Sequence, residues 1–294
     1  YNNQTKLKVL NLNLPPIYFA TILAVLVSFL GALDGIIVRI LTNELHPFLI
    51  VFYRSVFGLI IIIPIFINNR KVFNSSYKYL HFLRAFLKIC ALTSFFLAIQ
   101  SVVLSDVTAI TFITPILIIL GSICFLKELP NRKHLVSAFI GFLGILIILK
   151  PGQNVVPFAI YWAVLGAILS AVIQLILKKM SSKDSSKTLV AWNLLCTVPI
   201  AFIPACFFLV IPTFSMFILL SLQGLIGVLN MILITKAMTL SDVSYLAPYD
   251  FLRLPIISIL AFIFFSETPD ITTIIGASII FLSSFLISKI ANKQ

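Results

Sequence analysis

The chain has 294 residues, 61% hydrophobic and only 10% charged, with a mean hydropathy of +1.15 and a formal net charge of +12. Soluble domains run nearer a quarter charged, so a water-soluble core is excluded and lipid must be the solvent. The basic balance sits mainly between apolar runs, which reads as an orientation and lipid-surface signal and argues against a nucleic-acid partner.

A polar tail, residues 1–16, carries Lys6 and Lys8. Ten apolar runs follow: Ile17–Leu41, Pro47–Ile67, Tyr79–Val103, Val107–Leu126, Leu135–Leu149, Phe158–Leu177, Leu189–Ile211, Phe214–Ala237, Val243–Phe265 and Ile271–Ile290. A helix crosses the bilayer core with about 20 apolar residues. Stretches such as Ile60-Ile61-Ile62-Ile63 lack the alternation of a membrane β-barrel. The prediction is an all-α integral membrane protein of ten transmembrane helices. No small-residue cleavage site follows the first run, so no removable signal peptide is expected. Ten crossings place fifteen of the 21 Lys and Arg on the side of the amino terminus, against Arg39 and Lys150 on the other. That bias predicts both termini in the cytoplasm.

The second half repeats the first. Ala24-Val25-Leu26 matches Ala163-Val164-Leu165, and Glu128-x-Pro130 matches Glu267-x-Pro269, both 139 residues apart. Ser105-Asp106-Val107 matches Ser241-Asp242-Val243 three residues short of that offset, which calls for a small gap. The predicted units are residues 17–150 and 157–290. Five spans is an odd number, so the second copy enters from the opposite side, the inverted repeat that carriers use to open a central site to either face.

Six charged residues fall inside spans and away from their ends, where each costs about 2.5–3.5 kcal/mol on insertion scales and therefore needs a reason. Asp34 and Arg54, in adjacent spans, suit an ion pair that either locks spans one and two or serves as a gate or coupling element. Asp34 also interrupts Gly31-x-x-x-Gly35, a close-contact pattern. Arg84 and Lys88 are four apart on one helix face; Arg84 either snorkels to headgroups or joins Lys88 at a substrate carboxylate or phosphate. In the ninth run Tyr245, Tyr249 and Arg253 stand at four-residue steps with Asp250 beside them. That carboxylate and guanidinium either neutralise each other or hold the two ends of a zwitterion, with Tyr249 as a wall. Pro248 and Pro255, and Pro115 in the fourth run, each lack a backbone donor and suit bent spans. Gln100, Gln174, Trp192, Asn193 and Asn230 are further candidates.

No G-x-x-x-x-G-K-[ST] or H-E-x-x-H run is present. The four cysteines lack metal-ligand spacing, and His46, His81 and His134 sit near span ends and read as interfacial. Neither a nucleophile nor a metal constellation is seen, so no cofactor is expected and a carrier is favoured over a membrane enzyme or a channel.

The ten runs, the two Glu-x-Pro span ends, Pro115 and Gly141-Phe142-Leu143-Gly144-Ile145 together resemble the EamA branch of the drug/metabolite transporter superfamily, over Ile17 to Ile290. The last run lacks a match to Gly144. Ser241-Asp242-Val243, Ala247-Pro248-Tyr249-Asp250-Phe251-Leu252 and Glu267-Thr268-Pro269-Asp270 look closer still to the S-adenosylmethionine transporters of obligate intracellular bacteria. The resemblance implies a bacterial inner-membrane carrier for a small polar or zwitterionic metabolite; a monomer or loose dimer among membrane lipids is expected. S-adenosylmethionine is the first candidate and an amino-acid-like solute the next; export of drugs or other metabolites by proton antiport is the alternative.

Overall fold

A computed structural model describes residues 15–67, 73–101, 104–111, 113–127, 132–149, 158–266, 271–272, 274–276, 278–279 and 282. Among these residues there is helix and turn but no strand. The first half contains α1 (Pro16–Leu41), α2 (Pro47–Ile67), α3 (Lys78–Ser101), α4 (Leu104–Thr111), α5 (Ile113–Gly121), a π-helical turn (Ser122–Leu126) and α6 (Arg132–Leu149). The second contains α7 (Ala159–Met180), α8 (Ser186–Ala205), α9 (Phe214–Leu240), α10 (Val243–Leu246), a 3₁₀ stretch (Ala247–Leu252) and α11 (Arg253–Phe265). Both Glu-x-Pro motifs, the tail up to residue 14 and most of the tenth run lie outside the described residues.

Among the described residues, six helical segments are long and apolar enough to cross a membrane: Pro16–Leu41, Pro47–Pro64, Lys78–Ser101, Tyr161–Met180, Ser186–Phe208 and Phe214–Leu240. Their starts follow local chemistry. Pro16 opens α1, where a missing N–H is harmless, and Ser185 caps α8 by accepting from the Thr188 N–H at 3.2 Å. The outer surface is apolar: Ile22, Leu26, Phe82, Phe86, Ile203, Ile259 and Ile263 are all exposed. In water such a surface would drive association; in hydrocarbon it is the ordinary lipid-facing side. The protein is a multi-pass membrane protein.

The duplication is visible in the backbone. Leu41 and Met180 end α1 and α7, and Pro47 and Ser186 start α2 and α8, each pair at the spacing found in the sequence. Lys127 and Ser266, a third such pair, are the non-glycine residues with positive φ among those described, at 54° and 55°. Packing follows the same exchange. α1 lies on α9 as α3 lies on α7, α2 on α9 as α3 on α8, and α1 on the 3₁₀–α11 segment as α7 on α4–α5. Most of the large helix contacts therefore run between halves, and the space they enclose belongs to both.

The ninth run is where helix geometry changes. Proline at 248 supplies no N–H, and residues 247–252 wind as 3₁₀. The Arg253 N–H then bonds Asp250 O and Phe251 O rather than Tyr249 O, its partner in an α-helix. Ser28 Oγ, on α1, donates to the Tyr249 carbonyl at 2.9 Å. Pro255 falls in the first turn of α11, where its absent donor breaks no helix bond. The bent-span expectation thus takes a particular form, a 3₁₀ stretch pinned to α1.

Candidate functional site

A cavity of about 310 Å³ lies between the halves. All six ionisable residues singled out inside the spans line it: Asp34 from α1, Arg54 from α2, Arg84 and Lys88 from α3, Asp250 from the 3₁₀ stretch and Arg253 from the start of α11. Gln174 and Asn230 join them, with Phe95, Phe96 and Met231 among the apolar walls. The volume suits a small metabolite.

Close backbone approach makes room for the charges. Arg54 Nη1 donates to Asp34 Oδ2 at 2.8 Å, with each side chain 13% exposed. A Cβ added to Gly227 would sit 2.9 Å from Arg54 Nε, so the α9 backbone forms the floor under that guanidinium. Gly31 does the same for Arg253, whose Nε would be 3.2 Å from an added Cβ, while Gly35 receives Ile257 at 2.9 Å. The Gly31-x-x-x-Gly35 groove therefore seats α11 side chains, and Asp34 projects from the same helix into the cavity beside Arg253. Gln174 lies within hydrogen-bonding reach of Asp250.

The cations of α3 hydrogen-bond to neutral groups. Lys88 Nζ donates to Asn193 Oδ1 at 2.9 Å and lies 3.8 Å from Met231 Sδ. Arg84 is buried and reaches only Leu189 O, at a long 3.4 Å; its Nε has no partner. Arg84 thus does not snorkel to the headgroups. Its 3% exposure places it among the helices.

Five sequence candidates stand apart from the cavity lining, Asn193 among them as the partner of Lys88. Tyr245 and Tyr249 are buried in an apolar cluster, where their hydroxyls, 3.2 Å apart, meet Thr21 Oγ1 at 2.8 and 3.5 Å. Their four-residue spacing with Arg253 fails to carry them to its side because the intervening turn is 3₁₀. Trp192 stacks on His81 with ring centroids 5.5 Å apart. Gln100, at the end of α3, donates to Thr42 O at 3.3 Å.

A second polar cluster went unread in the sequence. His81 is fully buried rather than interfacial. Its Nε2 lies 3.0 Å from Asp184 Oδ2 and 2.9 Å from Ser75 Oγ, and Ser75 Oγ itself donates to Asp184. The Ser76 N–H donates to Asp184 Oδ1 at 3.1 Å. Despite the residue types, this is no nucleophile relay: Ser75 and His81 converge on one carboxylate oxygen, and His81 Nδ1 has no partner. It ties the chain before α3 to the α7–α8 turn. At the α1–α2 turn the rings of His46 and Phe208 stack 3.7 Å apart, and burial pushes the His46 imidazole below its ordinary value. His134 lies in α6, with its side chain outside the described residues.

Duplicated halves that pack on one another around a charged hollow fit a membrane transporter. The model of the EamA-like transporter family matches residues 18–150 and again 157–289, and the chain belongs to that family. It is similar to the S-adenosylmethionine uptake transporter of Rickettsia bellii, at 29% identity over 86% of this chain and 88% of the relative. The riboflavin transporter of Brucella anthropi is 26% identical over 82% of this chain and 87% of its own length. A crystal structure covering 95% of this chain and 98% of its own superposes with a TM-score of 0.76 at 16% identity, which shows the shared fold.

Proposed function

We propose that this protein is a secondary carrier that moves a small polar or zwitterionic metabolite across a bacterial inner membrane by alternating access, with S-adenosylmethionine the first cargo to test. Ten membrane-crossing helices in two inverted repeats, residues 17–150 and 157–290, with both termini in the cytoplasm, form the frame. The carrying observation is that both halves converge on one cavity holding carboxylates and cations together. Arg84, Lys88, Asp250 and Arg253 bind the cargo, and the Asp34–Arg54 pair opens and closes during the cycle. Relatives that carry S-adenosylmethionine and riboflavin support a site for solutes with a flat ring system and polar substituents. Solute exchange is the reading tested first, with proton antiport as the alternative; the Arg54–Asp34 contact of 2.8 Å already occupies one of the two cavity carboxylates.

Counterflow in proteoliposomes tests this reading. Vesicles preloaded with unlabelled S-adenosylmethionine should accumulate the labelled compound transiently and saturably. Flux that neither saturates nor accelerates with internal cargo would point to a channel and overturn the proposal. Arg253→Ala and Lys88→Ala should each abolish counterflow with membrane insertion intact, and normal uptake in either would remove that residue from the site.

A further inference from the structure

We infer that an anionic oxygen group on the cargo, a carboxylate or a phosphate, is the required recognition element, and that it seats against Lys88 and Arg84. This rests on the reading of the cavity as the cargo site and adds what that site demands. Among the described lining residues there are four cations, Arg54, Arg84, Lys88 and Arg253, against two carboxylates, Asp34 and Asp250. Asp34 is engaged by Arg54, and Asp250 lies beside Arg253 and Gln174. Among the described residues no carboxylate forms an ion pair with Lys88 or Arg84. Idle donors gather there: Arg84 Nε and Asn193 Nδ2 are buried without partners, while Lys88 is met only by an amide oxygen and a thioether.

Internal duplication sharpens the point. At the spacing that superposes the halves, Arg54, Arg84 and Lys88 correspond to Asn193, Gln223 and Gly227. The fold thus holds neutral residues at the equivalent positions, and the positive excess is local to α2 and α3. Two cations beside a low-dielectric cavity with no carboxylate in ion-pair contact are unfavourable until an anion enters. A cargo with only a positive or neutral end would leave them so; one with a carboxylate or phosphate supplies the missing counter-ion and accepts the idle N–H groups.

The test uses the full chain purified in a neutral detergent without added lipid, which removes phospholipid headgroups as the anion source. Ligand-induced shifts in Tm give half-saturating concentrations for two matched pairs: S-adenosylmethionine against its decarboxylated amine, and flavin mononucleotide against riboflavin. The first pair reports a carboxylate and the second a phosphate. In at least one pair the anionic member should half-saturate at a concentration about tenfold lower, the effect of one charge-assisted hydrogen bond. Lys88→Met and Arg84→Met should erase that preference and Lys88→Arg should keep it. Unliganded Lys88→Met should melt no lower than wild type, since an unpaired buried charge is removed. Equal half-saturation within both pairs, no shift with any probe, a preference that survives both methionine variants, or a marked fall in the unliganded Tm of Lys88→Met would each overturn the inference. Failure of counterflow with a clear anion preference in these pairs would instead reject the transport cycle and keep the anion site.

Discussion

Replacing Asp34 with alanine isolates the part of the cavity whose energetics the structure defines best. The Arg54–Asp34 contact of 2.8 Å corresponds to about 6 kcal/mol of attraction at an effective dielectric near 20. Desolvation offsets much of that, but both side chains are only 13% exposed, so removing one partner leaves the other charge buried. Breaking a buried pair costs about 3–5 kcal/mol. Here the loss falls toward the upper end, because Arg54 and Arg253 then share a cavity from which their common counter-charge has gone. Adding Arg54→Gln to Asp34→Ala should recover part of the loss, since the stranded cation is removed as well. Thermal and denaturant unfolding of the four proteins of this cycle in detergent measures the coupling directly. A loss below about 1 kcal/mol for Asp34→Ala, the range of exposed pairs, or strict additivity in the double variant, would refute the description of the pair as buried and coupled.

Three further outcomes follow from particular contacts. Gly227→Val should displace the Arg54 guanidinium, because a Cβ alone already reaches 2.9 Å from Nε; counterflow should fall well below that of wild type, and unchanged flux would show that α9 does not position Arg54. Ser28→Ala removes the cross-helix donor to Tyr249 O and should destabilise the protein by about 0.5–1.5 kcal/mol, with an unchanged Tm arguing that the 3₁₀ stretch holds without α1. Tyr249→Phe and Tyr245→Phe, whose hydroxyls meet Thr21 rather than the cavity, should leave the apparent affinity for cargo within about twofold of wild type, since no hydrogen bond to cargo is lost; a large rise in half-saturation would return them to the site.

Much of this protein follows from the order of its residues alone. Apolar runs of membrane-crossing length force helices, because lipid offers the backbone no other partner, and the repeated Ala-Val-Leu and Glu-x-Pro segments announce the duplication. The cost of a charge in hydrocarbon marked Asp34, Arg54, Arg84, Lys88, Asp250 and Arg253 before any coordinates, and all six line one cavity. Neighbours in space were less legible. Gly31 and Gly35 read as a helix-contact pattern, yet which side chain fills their groove depends on how α11 lies across α1. Tyr245 and Tyr249 share a helical stripe with Arg253 only if the backbone stays α-helical, and the 3₁₀ stretch at Ala247–Leu252 rotates them onto Thr21. His81 and Asp184, more than a hundred residues apart, meet because the halves interlock; single-residue polarity carries no signal of such a partner. Composition and periodicity act along the chain, so they settle which segments enter the membrane and which charges must hide there. Who faces whom is decided by packing between distant helices, and that information exists only once they are assembled.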